Sequence, residues 1–251
     1  MERLQALPPL DGCELWQLAL DLPVQPEEQA LLSPDEHARA ARFVFERDRR
    51  RYVAARSCLR RVLGRITAKD PAALRFASNA FGKPWLSDWP LLRFNLSHSE
   101  GAGLIALDPA SLHAPCGELG VDIELPRPLS DALALAGSLF EPQECRDLAA
   151  LEEPARTSAF LWGWTRKEAC LKALGTGFAG AARLATGLTS EGRIVQWQGG
   201  RPLAWQRARL HSFEVPALGA FAALARLLTH PSDEPIQPAA ARADALPALV
   251  P

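Results

Sequence analysis

Apolar and polar residues alternate from Trp16 through Leu20, the period of a half-buried strand. A helix start follows. Ser33 supplies a capping hydroxyl ahead of Pro34 at the first helical position, with Glu36 three residues after the cap, and the helix is expected to run through Arg39 and Arg42. From Tyr52 through Ala55, Leu59, Val62, Leu63 and Ile66, apolar residues recur at three- and four-residue steps. Arg49, Arg50, Arg56, Arg60 and Arg61 fall mostly elsewhere on the wheel. This predicts an amphipathic helix with a basic face, read first as solvated charge and, as the alternative, as a surface that steers an anionic ligand. Gly64 and Pro71 bracket its end, and Phe81-Gly82-Lys83-Pro84 reads as a loop. Arg93 to Ser97 and Gly103 to Leu107 then form a hairpin around Ser99-Glu100-Gly101.

The stretch from Asp108 to Glu118 has no period and crosses between two halves, with the boundary placed near residue 118. A strand from Leu119 to Leu125 leads to a helical segment around Asp131 to Phe140 and a longer helix from Pro154 to Leu174. Ile194-Val195 and Phe221 to Leu227 suggest further strands. Beyond Thr229, prolines among Ala, Asp and Glu cannot support a packed core. The expected organisation is an α+β protein with an N-terminal subdomain at 1–118, a C-terminal subdomain at 119–230 and a flexible tail at 231–251.

Composition narrows the function. With 251 residues and 48% of them hydrophobic, the chain can bury a substantial core. Lys and Arg number 28 against 29 for Asp and Glu, so no global field recruits nucleic acid or an anionic membrane. The five cysteines are scattered, without metal or redox spacing. The first residues lack the order of a secretory signal and no run has membrane-spanning length, so a cytoplasmic protein is expected.

Candidate chemistry begins in Gly120-Val121-Asp122-Ile123-Glu124. Alternation lets Val121 and Ile123 face a core while Asp122 and Glu124 share the other face, roughly 7 Å apart. Their repulsion is relieved by a basic side chain, by solvent or by a hard cation. Further on, Trp164-Thr165-Arg166-Lys167-Glu168 continues to Lys172, with Glu168 and Lys172 four residues apart on one helix surface. The plain reading is an ion pair contributing roughly 0.2–0.5 kcal/mol. The sharper one is a carboxylate that joins a metal site or abstracts a proton beside a phosphate-binding lysine.

Gly-Val-Asp-Ile-Glu followed about forty residues later by Trp-Thr-Arg-Lys-Glu-Ala-Cys-Leu-Lys resembles the paired signatures of the 4′-phosphopantetheinyl transferase superfamily. Gly82-Lys83-Pro84 and Phe94-Asn95-Leu96-Ser97-His98-Ser99 match two more of its motifs in order, and Arg42-Phe43-Val44-Phe45 extends the likeness. The chain is similar to the larger, surfactin-synthetase-activating (Sfp-type) subfamily. That implies a pseudo-twofold pair of similar subdomains, each a small, mostly antiparallel sheet packed on a long helix. It also implies transfer of phosphopantetheine from coenzyme A to a serine of an apo acyl or peptidyl carrier protein, releasing adenosine 3′,5′-bisphosphate.

Carried over by motif, the resemblance implies Asp122, Glu124 and Glu168 as ligands of Mg2+ or Mn2+, Glu168 as the base and Lys172 on phosphate. It assigns Ser97, His98 and Lys83 to coenzyme A, and Arg39 to its 3′-phosphate. Glu36 departs from relatives that carry a lysine there; Arg42 or Arg51 could compensate. Residues 175–188 occupy the region where relatives dock the carrier, and Phe178, Leu184 and Leu188 suit either a groove or a core. A monomer is expected, because two halves in one chain supply the interface that shorter relatives build between subunits. The rivals are another Mg-dependent phosphodiester-processing enzyme, which the balanced charge disfavours for nucleic acid, and a catalytically silent homologue that binds coenzyme A or a carrier.

Overall fold

Asp11 and Gly12 both hold positive φ, 50° and 74°, the left-handed pair that a tight hairpin turn requires. They join β1 (Leu4–Leu10) to β2 (Cys13–Ala19), so the strand anticipated from Trp16 begins three residues earlier. The computed structural model describes residues 2–177, 184–189, 191–199 and 204–228. The expected tail at 231–251 and Phe178 lie outside them.

A short helix α1 (Pro26–Gln29) precedes α2 (Pro34–Ala40), whose capping box forms as anticipated: the Glu36 N–H donates to Ser33 Oγ, and the Ser33 N–H to Glu36 Oε2 at 3.0 Å. α2 stops at Ala40, short of Arg42. Ala40 packs with Leu32 and Val53, whereas residues 41–45 face solvent and gain no burial by extending the helix. The basic amphipathic stretch becomes α3 (Glu46–Thr67). A small hairpin of β3 (Phe76–Ser78) and β4 (Pro84–Leu86) follows, its turn holding the Gly82-Lys83 loop. β5 (Arg93–Ser99) and β6 (Ala102–Asp108) are the anticipated hairpin.

The second half comprises β7 (Leu119–Glu124), α4 (Ala132–Leu139), α5 (Pro142–Ala149), α6 (Ala155–Leu174), β8 (Arg193–Gly199), β9 (Ala204–Val215) and β10 (Ala220–Leu227). α5 and β9 were not legible in the hydrophobic pattern, and neither were β1, β3 and β4.

The antiparallel strands form two large sheets, in the orders β1-β2-β6-β5 and β7-β10-β9-β8. Cys58, Leu59, Val62 and Leu63 of α3 pack on Leu18, Ile105 and Leu107 of the first sheet. In the same way, Ala169, Cys170 and Ala173 of α6 pack on Ala208, Leu210 and Ala223 of the second. A central core joins the sheets, with Leu15 and Leu104 on one side and Val121, Ile123 and Leu224 on the other. This is the α+β pair of sheet-on-helix halves that the resemblance implied. Among the described residues, no helix is long and apolar enough to cross a membrane.

Candidate active site

The two sheets meet edge to edge at β5 and β7, and side chains make the seam. Asn95 Oδ1 accepts the Val121 N–H at 2.9 Å, Ser97 Oγ donates to Asp122 Oδ1 at 2.7 Å, and Ser99 Oγ donates to Glu124 Oε2 at 2.7 Å. On the other side β7 lies against α6 with almost no space between backbones. A Cβ added to Gly120 would come within 2.1 Å of the Ala169 carbonyl oxygen and 2.3 Å of the Ala173 nitrogen. Glycine is what allows β7 to press its acids against the helix face that carries Glu168 and Lys172.

Asp122 is 4% exposed, although the alternation placed it opposite the core face. α6 covers that face. Lys172 Nζ donates to Asp122 Oδ1 at 2.5 Å and to Ser97 Oγ at 2.7 Å, giving the buried acid a cation and a hydroxyl. Burial pushes the Asp122 carboxyl up, against the pull of Lys172. Burial likewise drives Glu168 up to about 7; Lys172 pulls it down, and the charges of Asp122 and Glu124 add to the rise. A carboxyl poised near neutrality can accept and release a proton at physiological pH.

Glu124 is held differently. Oε1 accepts the Trp164 indole N–H at 3.1 Å, while Oε2 accepts Ser99 and Arg127, the latter at 2.5 Å. Two carboxylate oxygens nearby, Asp122 Oδ2 and Glu168 Oε1, are buried without a hydrogen-bond partner. Unsatisfied buried oxygens on neighbouring elements are the donor type a hard cation takes, so these two atoms fit Mg2+ or Mn2+. Among the described residues, no three His, Cys, Asp or Glu side chains are gathered to hold a metal ion, and Glu124 is bonded to Trp164, Ser99 and Arg127 instead.

Glu168 and Lys172 open into a cavity of about 220 Å³, closed on its other side by Phe81, Gly82 and Leu96. The Lys83 stem lines it, but the ammonium is bonded to Glu118 Oε2 at 2.7 Å and to the Ala173 carbonyl at 2.8 Å. His98 is exposed at the end of β5. Crowding of its ring by protein atoms, together with Lys172 and Arg51, holds its pKa below the ordinary imidazole value.

Gly82 and Pro84 also line a second, larger cleft of about 570 Å³, whose walls include Arg39, Tyr52, Arg56, Arg60, Arg75 and Phe76. Arg39 lies 5.3 Å over the Tyr52 ring. Arg56 and Arg60 are not the solvated charges expected of a helix surface. Both donate from Nε to buried Glu36, at 2.6 and 2.7 Å, and Arg60, 1% exposed, also bonds the carbonyls of Pro71 and Leu74. Glu36 thus ties α2 to α3, and these cations outweigh the burial that opposes its ionisation, leaving its pKa below the usual value. Arg51, considered as a substitute cation, is committed to Asp21 and Glu100 at 2.6 and 3.0 Å.

Family models described as "4′-phosphopantetheinyl transferase superfamily" and "4′-phosphopantetheinyl transferase, N-terminal" match residues 118–221 and 25–109. The 4′-phosphopantetheinyl transferase HetI of Nostoc sp. is 39% identical over 187 residues, which cover 71% of this chain and 75% of the relative. The chain belongs to the 4′-phosphopantetheinyl transferase superfamily. The transferase Sfp of Bacillus subtilis is 29% identical over 170 residues, 66% of this chain and 72% of the relative.

For this phosphopantetheinyl transferase, motif reading gave Asp122, Glu124 and Glu168 to a metal and Ser97, His98 and Lys172 to coenzyme A, whereas the structure draws Asp122, Glu168, Lys172 and Ser97 into one cluster with Glu124 and His98 at its edge. Lys83 and Arg39 stand further out. Motif reading gave no role to Ser99, Trp164 or Arg127, which hold Glu124, or to Asn95, which accepts the Val121 N–H between the two strands. It also missed Glu144 of α5, which pairs with Lys167 Nζ at 2.7 Å and accepts the N–H groups of Thr186 and Gly187 at 2.8 and 2.7 Å. Glu144 does follow Glu141 and Pro142 at capping-box spacing, a signal the sequence carries. Leu184 and Leu188 pack into cores instead of lining a groove.

Proposed function

We propose that this chain transfers the 4′-phosphopantetheine of coenzyme A to the serine of an apo carrier protein, with Glu168 as base and Lys172 as the cation on phosphate. The observation that carries this assignment is Glu168, raised to about 7 at the mouth of a cavity it shares with Lys172. The serine hydroxyl gives its proton to Glu168 as its oxygen bonds the phosphorus that bears pantetheine. The bond from that phosphorus to the nucleotide oxygen breaks, releasing adenosine 3′,5′-bisphosphate. Lys172 and Ser97 face the charge that builds on the diphosphate, and the imidazole of His98 reaches it from the strand end.

Asp122 Oδ2 and Glu168 Oε1 would hold Mg2+ or Mn2+, with Glu124 the third ligand once it releases its donors. The cation supplies charge neutralisation on the diphosphate. The nucleotide end lies towards the arginine cleft, where Arg39 meets the 3′-phosphate and Arg56 stands in the wall behind it. In this reading residues 1–118 and 119–230 are the two halves, and the protein works as a cytoplasmic monomer.

Purified protein incubated with coenzyme A, Mg2+ and a panel of apo acyl and peptidyl carrier domains should add one phosphopantetheine to the mass of at least one carrier. No mass gain on any of them would overturn the assignment.

A further inference from the structure

Lys83 and Asn79 belong to one turn, between β3 and β4. That turn touches both elements that carry the acids and the lysine of the site. The Lys83 ammonium donates to Glu118, the residue before β7, at 2.7 Å, and to the carbonyl of Ala173, the residue after Lys172, at 2.8 Å. Asn79 Nδ2 donates to the carbonyl of Gly175 at 2.7 Å, while Asn79 Oδ1 accepts the N–H groups of Phe81 and Lys83 at 2.9 and 3.0 Å. The last carbonyls of a helix have no partner within it, and the negative end of its dipole favours a cation. A lysine from the other half supplies both here. The approach is close, since a Cβ on Gly175 would stand 3.0 Å from Asn79 Nδ2 and from Lys83 Cδ.

We propose that Lys83 and Asn79 clasp the C-terminal turn of α6 to the start of β7, so that Lys83 positions Glu168 and Lys172 and does not bind the phosphates of the donor. This rests on the transferase reading. An ammonium that reached into the cavity would leave the Ala173 carbonyl without its donor and Glu118 with Arg93 alone, 3.1 Å away. The clasp sets how far along β7 the helix sits. One step of sliding would carry Lys172 away from Asp122 and Ser97.

Two variants test it. Lys83→Met keeps the stem and removes the donor, and Asn79→Asp keeps the acceptor that shapes the turn but loses the bond to Gly175. Both should lower kcat about tenfold or more while the KM for coenzyme A stays within about threefold, and Lys83→Arg should recover part of kcat. Hydrogen exchange at the backbone amides of residues 172–175 should quicken in both variants. A KM for coenzyme A raised about tenfold with kcat unchanged in Lys83→Met would make the lysine a donor ligand and overturn the clasp. Unchanged exchange in both variants would overturn it as well, and that readout holds even if the wild-type protein transfers nothing to any carrier, which is how failure of the transferase reading would show.

Discussion

Lys172 Nζ lies 2.5 Å from Asp122 Oδ1, and it is the cation that opposes the upward push of burial on this nearly inaccessible carboxyl. Lys172→Met should therefore cost stability as well as activity. Removing one partner of a buried pair strands the other charge. With the lysine side chain 29% exposed, the expected loss is about 1–3 kcal/mol at pH 7. It should shrink near pH 4, where a protonated Asp122 needs no counter-charge. Urea unfolding at the two pH values measures it, and equal losses would show that the pair does not govern Asp122.

Glu168→Gln should abolish transfer yet stabilise the protein, but only at high pH. The folded pKa of about 7 lies above the ordinary glutamate value near 4.5, so between these values the folded state binds the proton more tightly. Its stability relative to the unfolded chain falls as pH rises through that window and stays low above it. Glutamine removes the cost. At pH 8 the variant should be more stable by roughly 1–3 kcal/mol, and at pH 4 nearly unchanged, as read by thermal or urea unfolding. A variant no more stable at pH 8 would mean that Glu168 is not destabilised by its burial.

Gly120→Ala tests the contact between β7 and α6. Its methyl would meet backbone atoms of Ala169 and Ala173, which cannot rotate away. The expected cost is about 3 kcal/mol or more, with activity lost even in the fraction that folds. A variant of normal stability and rate would show that the helix can retreat without harm to the site.

Glu36→Ala distinguishes a structural from a surface role for the arginines of α3. Solvated charges would place the change within about 0.5 kcal/mol. Because Arg60 is buried and Arg56 nearly so, the expected loss is about 2–4 kcal/mol, and Glu36→Gln should recover part of it through its remaining acceptor.

Where the chain makes its own local choices, the sequence was legible. Ser33 with Glu36 capped its helix, the β5–β6 hairpin turned at Glu100-Gly101, and alternation sent Val121 and Ile123 of β7 into the core with Asp122 and Glu124 on the other side. Capping and alternation depend only on near neighbours. The motifs put Asp122, Glu124, Glu168, Lys172 and Ser97 in one site, and the structure brings all but Glu124 into one cluster, Glu124 being bonded to Trp164, Ser99 and Arg127. What stayed hidden depends on packing between distant segments. Arg60 looks like a surface residue until Glu36 is folded over it, 24 positions away, and Lys83 resembles a free phosphate ligand until Ala173 arrives from 90 positions away. β1, β9 and α5 escaped because short or mixed patterns fit several elements alone and are decided by the sheet or helix beside them.

The bonds from Asn95, Ser97 and Ser99 to Val121, Asp122 and Glu124 give the seam a further meaning. Serine and lysine come from opposite halves and meet on one aspartate, so the cluster proposed to carry the chemistry is an interface product that neither half owns. Catalysis in this protein is therefore a reporter of docking between its halves. Damage to Asn95 at the seam should silence the enzyme while both sheets still form, and its defect should look like a lost active site although every residue of the proposed cluster is present.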